Sequence, residues 1–565
     1  MTLYDAQARI WYALPRHPVL NPCASIGQVL LNVLERTPAK VAQVNADTRV
    51  ELTCDVLRRR SIRFARFLRD TVGAAVGDPV VLVASNSDNV APVAFGCFLA
   101  GVPVGTLDPA FSPDEIEHML RVIRPCAVFA DRKALPAVLA VIGRTGLHLK
   151  LARVGVLQAT EAELADAASG CFSIDTLLEG VQDGAGDEDA YVPAYLGDSE
   201  RRTAAIVCSS GTTGMPKAVC ISHSQLIAPY QRTSQLDQGD TILCFSTLYW
   251  ISGLQMLLTG VLNGIRRVIT SHPGTALRTI ALCQRYEVTV LLVTPALAAD
   301  VLRTLAGTGE RLQSLKLFAV GGCAVPATLR ESINRQVLLS GRGRCFVGYG
   351  TSETGPVAYE YVPRGDSVGF LIPGIQAKVV DEQGRSLGPD EPGELLVRPV
   401  HPFLGYHGDE VTTASALDAQ GFVRTGDIAR FDTDGFLYVV ERLKEIFKYC
   451  GHQVAPAELE AVIGELPGVR LVVVVGVPDP AGPFNDLATA LIVRADGHQG
   501  DALSAQSVLE YLRERIPADH KRLRGGVMFV EQLPMTASGK VKRSSAKQMA
   551  IEKVRTIASD NSDIQ

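Results

Sequence analysis

A chain of 565 residues, 47% hydrophobic and 20% charged, has the make-up of a large globular protein, and it is too long for one core, so two or more domains are expected. The formal net charge of −5, with Lys and Arg scattered, offers no basic stripe and argues against nucleic acid as a partner. Twelve cysteines include no Cys-x-x-Cys pair, and Cys97, Cys208 and Cys244 sit inside apolar runs, which speaks against a zinc site or disulfide framework and for a reducing compartment.

Taken in chain order, the opening residues lack a charged segment followed by an apolar one, so no signal peptide is predicted. A helical pattern carries Val56, Leu57, Phe64 and Leu68, with Arg58, Arg59 and Arg60 expected on its solvated face. Residues 79–84 read as a buried strand and 89–99 as the helix after it. The stretch 90–105 is the most apolar, but Pro92, Gly96, Gly101 and Pro103 interrupt it, and it is shorter than a membrane span needs. Ser112-Pro113-Asp114-Glu115 is a capping box with Pro at the first helical position, opening a helix to about residue 124 before a strand at 127–130. Such repeated units predict a mainly parallel sheet covered by helices. Residues 159–200 are less regular and include an acidic, Gly-rich loop at 183–189.

An apolar run at 204–208 reads as a strand, and further strands are expected at 241–245, 288–293 and 317–320. From 377 to 440 the pattern changes to short strands with Gly turns such as Asp434-Gly435, a small β subdomain. A compact unit follows, with helices at 456–463 and 507–515 and strands at 471–476, 488–493 and 527–530. The predicted fold class is therefore α/β: a large N-terminal domain, 1–440, of mainly parallel sheets covered by helices plus a small β subdomain, then a small α+β C-terminal domain, 441–565. The chain ends Ser-Asp-Ile-Gln rather than in a peroxisomal Ser-Lys-Leu tripeptide, and a cytosolic location is expected.

The chemistry concentrates in Ser209-Ser210-Gly211-Thr212-Thr213-Gly214-Met215-Pro216-Lys217, directly after the strand at 204–208. Two glycines let backbone N–H groups turn toward an anion, three or more hydroxyls add donors, and Lys217 supplies a point charge suited to phosphate. Clusters of this composition also occur as plain polar turns, and the Walker A spacing is absent. Four further motifs follow in order: Gly348-Tyr349-Gly350-Thr351-Ser352-Glu353-Thr354, Thr425-Gly426-Asp427, Glu441-Arg442-Leu443-Lys444, and Pro534-Met535-Thr536-Ala537-Ser538-Gly539-Lys540.

With these motifs in this order, the chain resembles the adenylate-forming superfamily of acyl-CoA synthetases, beetle luciferases and peptide-synthetase adenylation domains, across roughly residues 25–543. It looks most like insect acyl-CoA synthetases related to luciferase and like 4-coumarate-CoA ligase, on stretches such as Val454-Ala455-Pro456-Ala457-Glu458-Leu459-Glu460. The resemblance implies ATP, Mg²⁺ and coenzyme A as cofactor and co-substrates, and a small carboxylic acid as partner. It implies that Ser209 to Lys217 cradles the β- and γ-phosphates, with Ala218 standing where relatives usually have Gly. Gly322, Cys323, Gly348, Tyr349, Gly350, Thr351 and Ser352 would surround the nucleotide, with Tyr349 stacking on adenine. Glu353 would bind Mg²⁺, a hard carboxylate for a hard cation. Asp427 would accept the ribose hydroxyls and Arg442 would contact ribose or phosphate. Lys540 would bridge the acid and the α-phosphate, carried in by a mobile domain that turns at Lys444. For the thiol step the same domain would present Lys448, Tyr449 and Gly451.

The acid pocket implied by the resemblance has walls at Tyr249, Trp250, Ser252, Gly253 and Gly321, with Cys323 beside them. These side chains suit an acyl or aryl group, and no Asp near Tyr249 is available to pair with an amino acid's ammonium. A luciferase-like monooxygenase is the competing reading. Its His-x-Phe is Trp250-Ile251-Ser252 here, and Pro356-Val357 replaces its Ser-Ala, so a ligase is favoured. A non-catalytic nucleotide-binding relative is disfavoured because Lys217, Glu353, Asp427, Arg442 and Lys540 are all present.

Overall fold

The computed structural model of the chain describes residues 1–565 except 16–20, 22, 148, 152, 166–169, 181–187, 210–214, 229–235, 339–341, 451, 480–484, 536–539 and 563–565. Short β-branched runs make its central strands. Val80–Val83 is buried at every position, as a strand covered on both faces must be. The helix after it, Val90–Ala100, is apolar all round and stops at Gly101, whose φ of 69° is the left-handed cap that glycine favours. The capping box at Ser112 forms as expected, with reciprocal bonds to Glu115, and opens Pro113–Ile123.

These units assemble into two large sheets. In the first, among the described residues, Val104–Leu107, Val80–Val83, Ala127–Asp131, Val154–Leu157 and Cys171–Ser173 run parallel in that order. Thr203–Ser209 joins parallel to Val104–Leu107, and Lys217–Ser222 turns back antiparallel at the edge. In the second, Arg344–Thr351, Leu317–Val320, Val290–Val293, Thr241–Cys244, Arg266–Ile269 and Val41–Asn45 are parallel neighbours. A third, antiparallel sheet holds Gln376–Val380, Gly393–Arg398, Val423–Phe431 and Leu437–Arg442. The small C-terminal domain packs the helices Pro456–Ile463 and Ala505–Arg515 on a sheet of Val469–Pro478, Asp486–Arg494 and Gly526–Phe529. Among the described residues no helix is long and apolar enough to cross a membrane.

The architecture is the mixed α/β arrangement read from the sequence, with three differences. The first is an N-terminal hairpin, Leu3–Asp5 and Ile10–Tyr12, that extends the antiparallel sheet beside Gln376–Val380. Trp11, 2% exposed, anchors it by stacking on Phe431 at 4.6 Å. The second concerns Arg58, expected on a solvated face. It is only 6% exposed and lies between Asp55 and Asp189, at 3.1 and 2.8 Å. Arg59 alone of the run keeps a largely exposed position, since Arg60 donates to Asn89 Oδ1. Third, Leu437–Arg442 carries regular pairing through Glu441 and Arg442, so residue 441 falls inside the last strand of the β subdomain rather than after it. Most of the acidic loop read at 183–189 lies outside the described residues.

Candidate active site

Lys217 faces Ser209 across the antiparallel pair Thr203–Ser209 and Lys217–Ser222, so the two ends of the hydroxyl-rich segment stand side by side. Ser210, Gly211, Thr212, Thr213 and Gly214 lie outside the described residues. Ala218 sits in strand register opposite Cys208, buried, with its carbonyl accepting from His407 N at 2.8 Å, a position that asks for no glycine freedom. Residues 405–407 run along this edge, where Cys220 N donates to Gly405 O at 3.0 Å and Val219 bridges to Tyr406. That placement sets the Tyr406 ring 4.9 Å from Lys217 Nζ. The Tyr406 hydroxyl donates to Glu353 Oε1 at 3.0 Å. Burial, and then the Glu353 charge, push the Tyr406 phenol well above its ordinary pKa, so it stays a donor.

Glu353 occupies the turn between Arg344–Thr351 and Gly355–Tyr359, which Thr351 and Thr354 tie off through their hydroxyls at 3.0 Å. The glycines of this motif are required by the hairpin itself. A Cβ on Gly350 would lie 2.4 Å from Gly355 O, and one on Gly348 would lie 2.7 Å from the Tyr359 ring. Ser352, Thr354, Gly355 and Pro356 line a small open cleft together with Ile251 and Gln255.

Asp427, 3% exposed, accepts from the Tyr349 hydroxyl at 2.6 Å and pairs with Arg442 Nε at 3.0 Å. Burial raises the Asp427 carboxyl pKa, and the Arg442 charge and Tyr349 bond pull it back. The strand that holds Asp427 also holds the start of the interdomain link, because Leu443 N donates to Gly426 O at 2.8 Å. Lys444 is exposed beyond it. Glu441, next to Arg442, has a role that its motif position left open. Its carboxylate accepts from Ala457 N at 2.6 Å and from Arg442 N at 2.9 Å. The helix Pro456–Ile463 has no side-chain cap at its own N-cap, Ala455, so a carboxylate from the β subdomain supplies one across the lobes. Burial pushes Glu441 up to about 7.

Lys540, from the small domain, meets the end of strand Leu317–Val320. Its Cε lies 2.8 Å and its Nζ 3.5 Å from where a Cβ on Gly322 would stand, and Gly322 has a φ of 97°. Its ammonium sits 5.3 Å from the centroid of the Trp250 ring. Burial lowers the Lys540 pKa; Cys323 works against that shift and Arg442 adds to it. Cys323 keeps solvent access, yet desolvation by the surrounding protein raises its thiol pKa. Of the expected acid walls, Tyr249 is 7% exposed and packs edge-on between Phe111 and Trp250, making it support for the wall rather than its surface. Ser252 donates to Ser246 Oγ, and Gly253 fits so closely under Thr247 that a Cβ would lie 2.1 Å from the Thr247 carbonyl oxygen. Gly321 and Trp250 are half-buried.

The family of AMP-binding enzymes matches residues 31–407, and the AMP-binding enzyme C-terminal domain matches residues 458–540. The chain belongs to the AMP-binding enzyme family. It is 27% identical to a probable 4-coumarate–CoA ligase 1 of Dictyostelium discoideum, over 95% of this chain and 97% of that one. It is 28% identical to a luciferin 4-monooxygenase of Luciola mingrelica, over 94% and 95%. An anthranilate CoA ligase, AuaEII, solved with anthranoyl-AMP, has the same fold at a TM-score of 0.81, with 21% identity over 95% of this chain and 99% of that one. The AMP-binding enzyme is thus an adenylate-forming protein of the acyl- and aryl-CoA ligase and luciferase group.

Within this AMP-binding enzyme the fold gathers Lys217, Glu353 and the unanticipated Tyr406 into one chain of contacts, and Tyr349, Asp427 and Arg442 into another. Lys540, Gly322, Cys323 and Trp250 form a third group. Lys448 and Tyr449 form part of the hairpin Phe447–Tyr449 and His452–Val454, where Arg524 lies 5.0 Å from the Tyr449 ring. Gly451 lies outside the described residues. Mg²⁺ fits the donor set. Among the described residues nothing donates to Glu353 Oε2, and no group of three His, Cys, Asp or Glu forms a closed cage. One hard carboxylate oxygen with no donor on it suits an ion that keeps water and phosphate ligands.

Proposed function

We propose that this chain is an ATP-dependent acid–CoA ligase acting on a fatty or aryl carboxylic acid. The acid's carboxylate oxygen attacks the α-phosphorus of ATP, the bond to the β-phosphate breaks, and pyrophosphate leaves. The CoA thiol then attacks the acyl carbonyl, AMP leaves, and an acyl-CoA thioester is formed. What carries the reading is Lys540, brought from the small domain into van der Waals reach of Gly322 and beside Trp250.

In this scheme Lys217 and the loop before it hold the β- and γ-phosphates, and Glu353 would hold Mg²⁺, which would supply charge neutralisation there. Asp427, oriented by Tyr349 and Arg442, takes the ribose hydroxyls. Lys540 donates to the carboxylate and to the α-phosphate oxygen where negative charge grows, a donor that is worth most inside a cleft. Rotation at Lys444 then withdraws Lys540 and presents Lys448, Tyr449 and Gly451 for the thiol step. The relatives named as 4-coumarate–CoA ligase and the match of the C-terminal domain up to residue 540 support this order. The test is AMP release dependent on both acid and CoA, across acids from acetate to palmitate with coumarate and luciferin included. AMP release with one or more acids only when CoA is present supports the reading. Light from luciferin, ATP and O₂ without any CoA-dependent AMP release overturns it.

A further inference from the structure

Trp250 stands at the head of the helix Ile251–Leu262 and its ring is not free to wander. Its backbone N–H donates to Thr247 O at 3.1 Å and its carbonyl receives Gly253 N at 2.9 Å. Tyr249 meets its ring edge-on at 4.7 Å and 81°, and Tyr249 is itself braced edge-on by Phe111 at 5.2 Å and 77°. The result is an edge-to-face aromatic column, Phe111–Tyr249–Trp250, with the buried Tyr249 at its centre. The face it offers lies 5.3 Å from Lys540 Nζ, inside the range where an ammonium is drawn to an indole. Gly322 supports the other side of the lysine stem: with φ at 97° and no Cβ, it leaves room for Lys540 Cε.

We propose that Trp250 is a positioning residue for Lys540: its indole face receives the ammonium when the small domain closes, before an acid is present, and hands it to the acid carboxylate. The inference deepens the ligase reading and rests on it, since it assigns to a wall of the acid site the docking of the lysine from the other domain. Its chemistry follows from the partners available to that cation. Among the described residues Cys323 and Arg442 act on Lys540 electrostatically, and Arg442 is itself paired to Asp427. Burial disfavours the charged form of Lys540, so an aromatic face helps to keep it an ammonium in the closed cleft. An acid entering over Trp250 brings a carboxylate to a cation already held in place, so acid binding and domain closure are coupled.

The test compares Trp250→Phe, which keeps a ring, with Trp250→Met, which fills similar volume without one. Trp250→Met should slow acid-dependent pyrophosphate release by roughly 5- to 30-fold, the loss of a desolvated cation–π contact. Trp250→Phe should recover most of it, and in Trp250→Met the loss should fall more heavily on this half-reaction than on thioester formation from pre-made acyl-AMP. The pH profile of adenylation in Trp250→Met should bend at lower pH than in the wild type, with Lys540 losing its proton earlier. Trypsin cleavage after Lys444 and Lys448 gives a readout that does not need activity. Without ATP or acid, Trp250→Met and Lys540→Ala should be cut faster than wild type, and Trp250→Phe at the wild-type rate. If no acid supports turnover but this cleavage order holds, the ligase reading fails and the docking stands. Equal cleavage and equal pH profiles for the Met and Phe variants, with only the acid KM altered, overturn the docking and leave Trp250 as a pocket wall. Should Trp250→Met fail to fold, Trp250→Phe must still match wild type in cleavage and pH profile, and a shift in both overturns the proposal.

Discussion

Replacing Tyr406 by Phe removes one hydrogen bond and leaves the ring in place. The lost bond runs from the Tyr406 hydroxyl to Glu353 Oε1 at 3.0 Å. A hydrogen bond to a charged group contributes about 1.5–3 kcal/mol, so kcat/KM for Mg·ATP should fall by roughly 10- to 100-fold. The ring's contact with Lys217 at 4.9 Å survives in Phe and is lost in Ala. That contact adds on the order of 0.5–2 kcal/mol, so Tyr406→Ala should fall further, by roughly 10²–10³-fold. The assay is ATP–pyrophosphate exchange at varied Mg·ATP with saturating acid, run as a double-mutant cycle with Glu353→Gln. In the Glu353→Gln background the hydroxyl meets a neutral acceptor, and Tyr406→Phe should cost only roughly fivefold. Equal penalties with and without the Glu353→Gln substitution would show that the hydroxyl does not act through Glu353 and would refute the reasoning.

Lys540→Ala should slow pyrophosphate release by roughly 10²–10³-fold, as for loss of one transition-state donor, while thioester formation from supplied acyl-AMP is largely spared; unchanged pyrophosphate release contradicts the role. Gly322→Ala puts a Cβ 2.8 Å from Lys540 Cε on a backbone with φ of 97°, so it should slow the same half-reaction by roughly tenfold or more and lower the melting temperature. Steady-state adenylation equal to wild type would mean that the lysine stem moves aside at no cost. Glu441 holds its proton up to about pH 7 in the fold, against an ordinary value near 4.5. Between those values the unfolded chain loses this proton first, so stability falls as pH rises, by on the order of 3 kcal/mol in all, and the loss is complete above about pH 7. Glu441→Gln cannot titrate, and thermal midpoints recorded over roughly pH 4.5 to 8 should show a shallower decline for the variant; parallel curves would exclude Glu441 as the source.

What the chain discloses before folding depends on how far apart the partners are. Val80–Val83, the capping box at Ser112 and the helix Pro456–Ile463 follow from residues within a few positions of one another, and each forms as read. Lys217, Glu353, Asp427 and Lys540 were singled out by motif order, which says nothing of the contacts each makes. Tyr406 was not, because its partners Glu353 and Lys217 are 53 and 189 positions away, and a Tyr after a Gly resembles many turn residues. Arg58 misled for the same reason: Asp189, the acid that lets it be buried, lies 131 positions on. The N-terminal hairpin has strands of three residues each, too short for alternation to register, and Trp11 gains its meaning only from Phe431. Glu441 shows the limit of motif reading, since its position in the motif gave no hint of the helix end it serves.

That N-terminal hairpin decides where the protein tolerates being shortened. Ile10–Tyr12 covers the flank of Gln376–Val380, so a variant beginning near Ser25 would bare a row of unpaired N–H and C=O groups beside an apolar face that includes Phe431. Exposed strand flanks of that kind recruit other chains. Removing the first two dozen residues, distant in sequence from the motifs that begin at Ser209, should therefore appear first as self-association in solution and only afterwards as lost turnover.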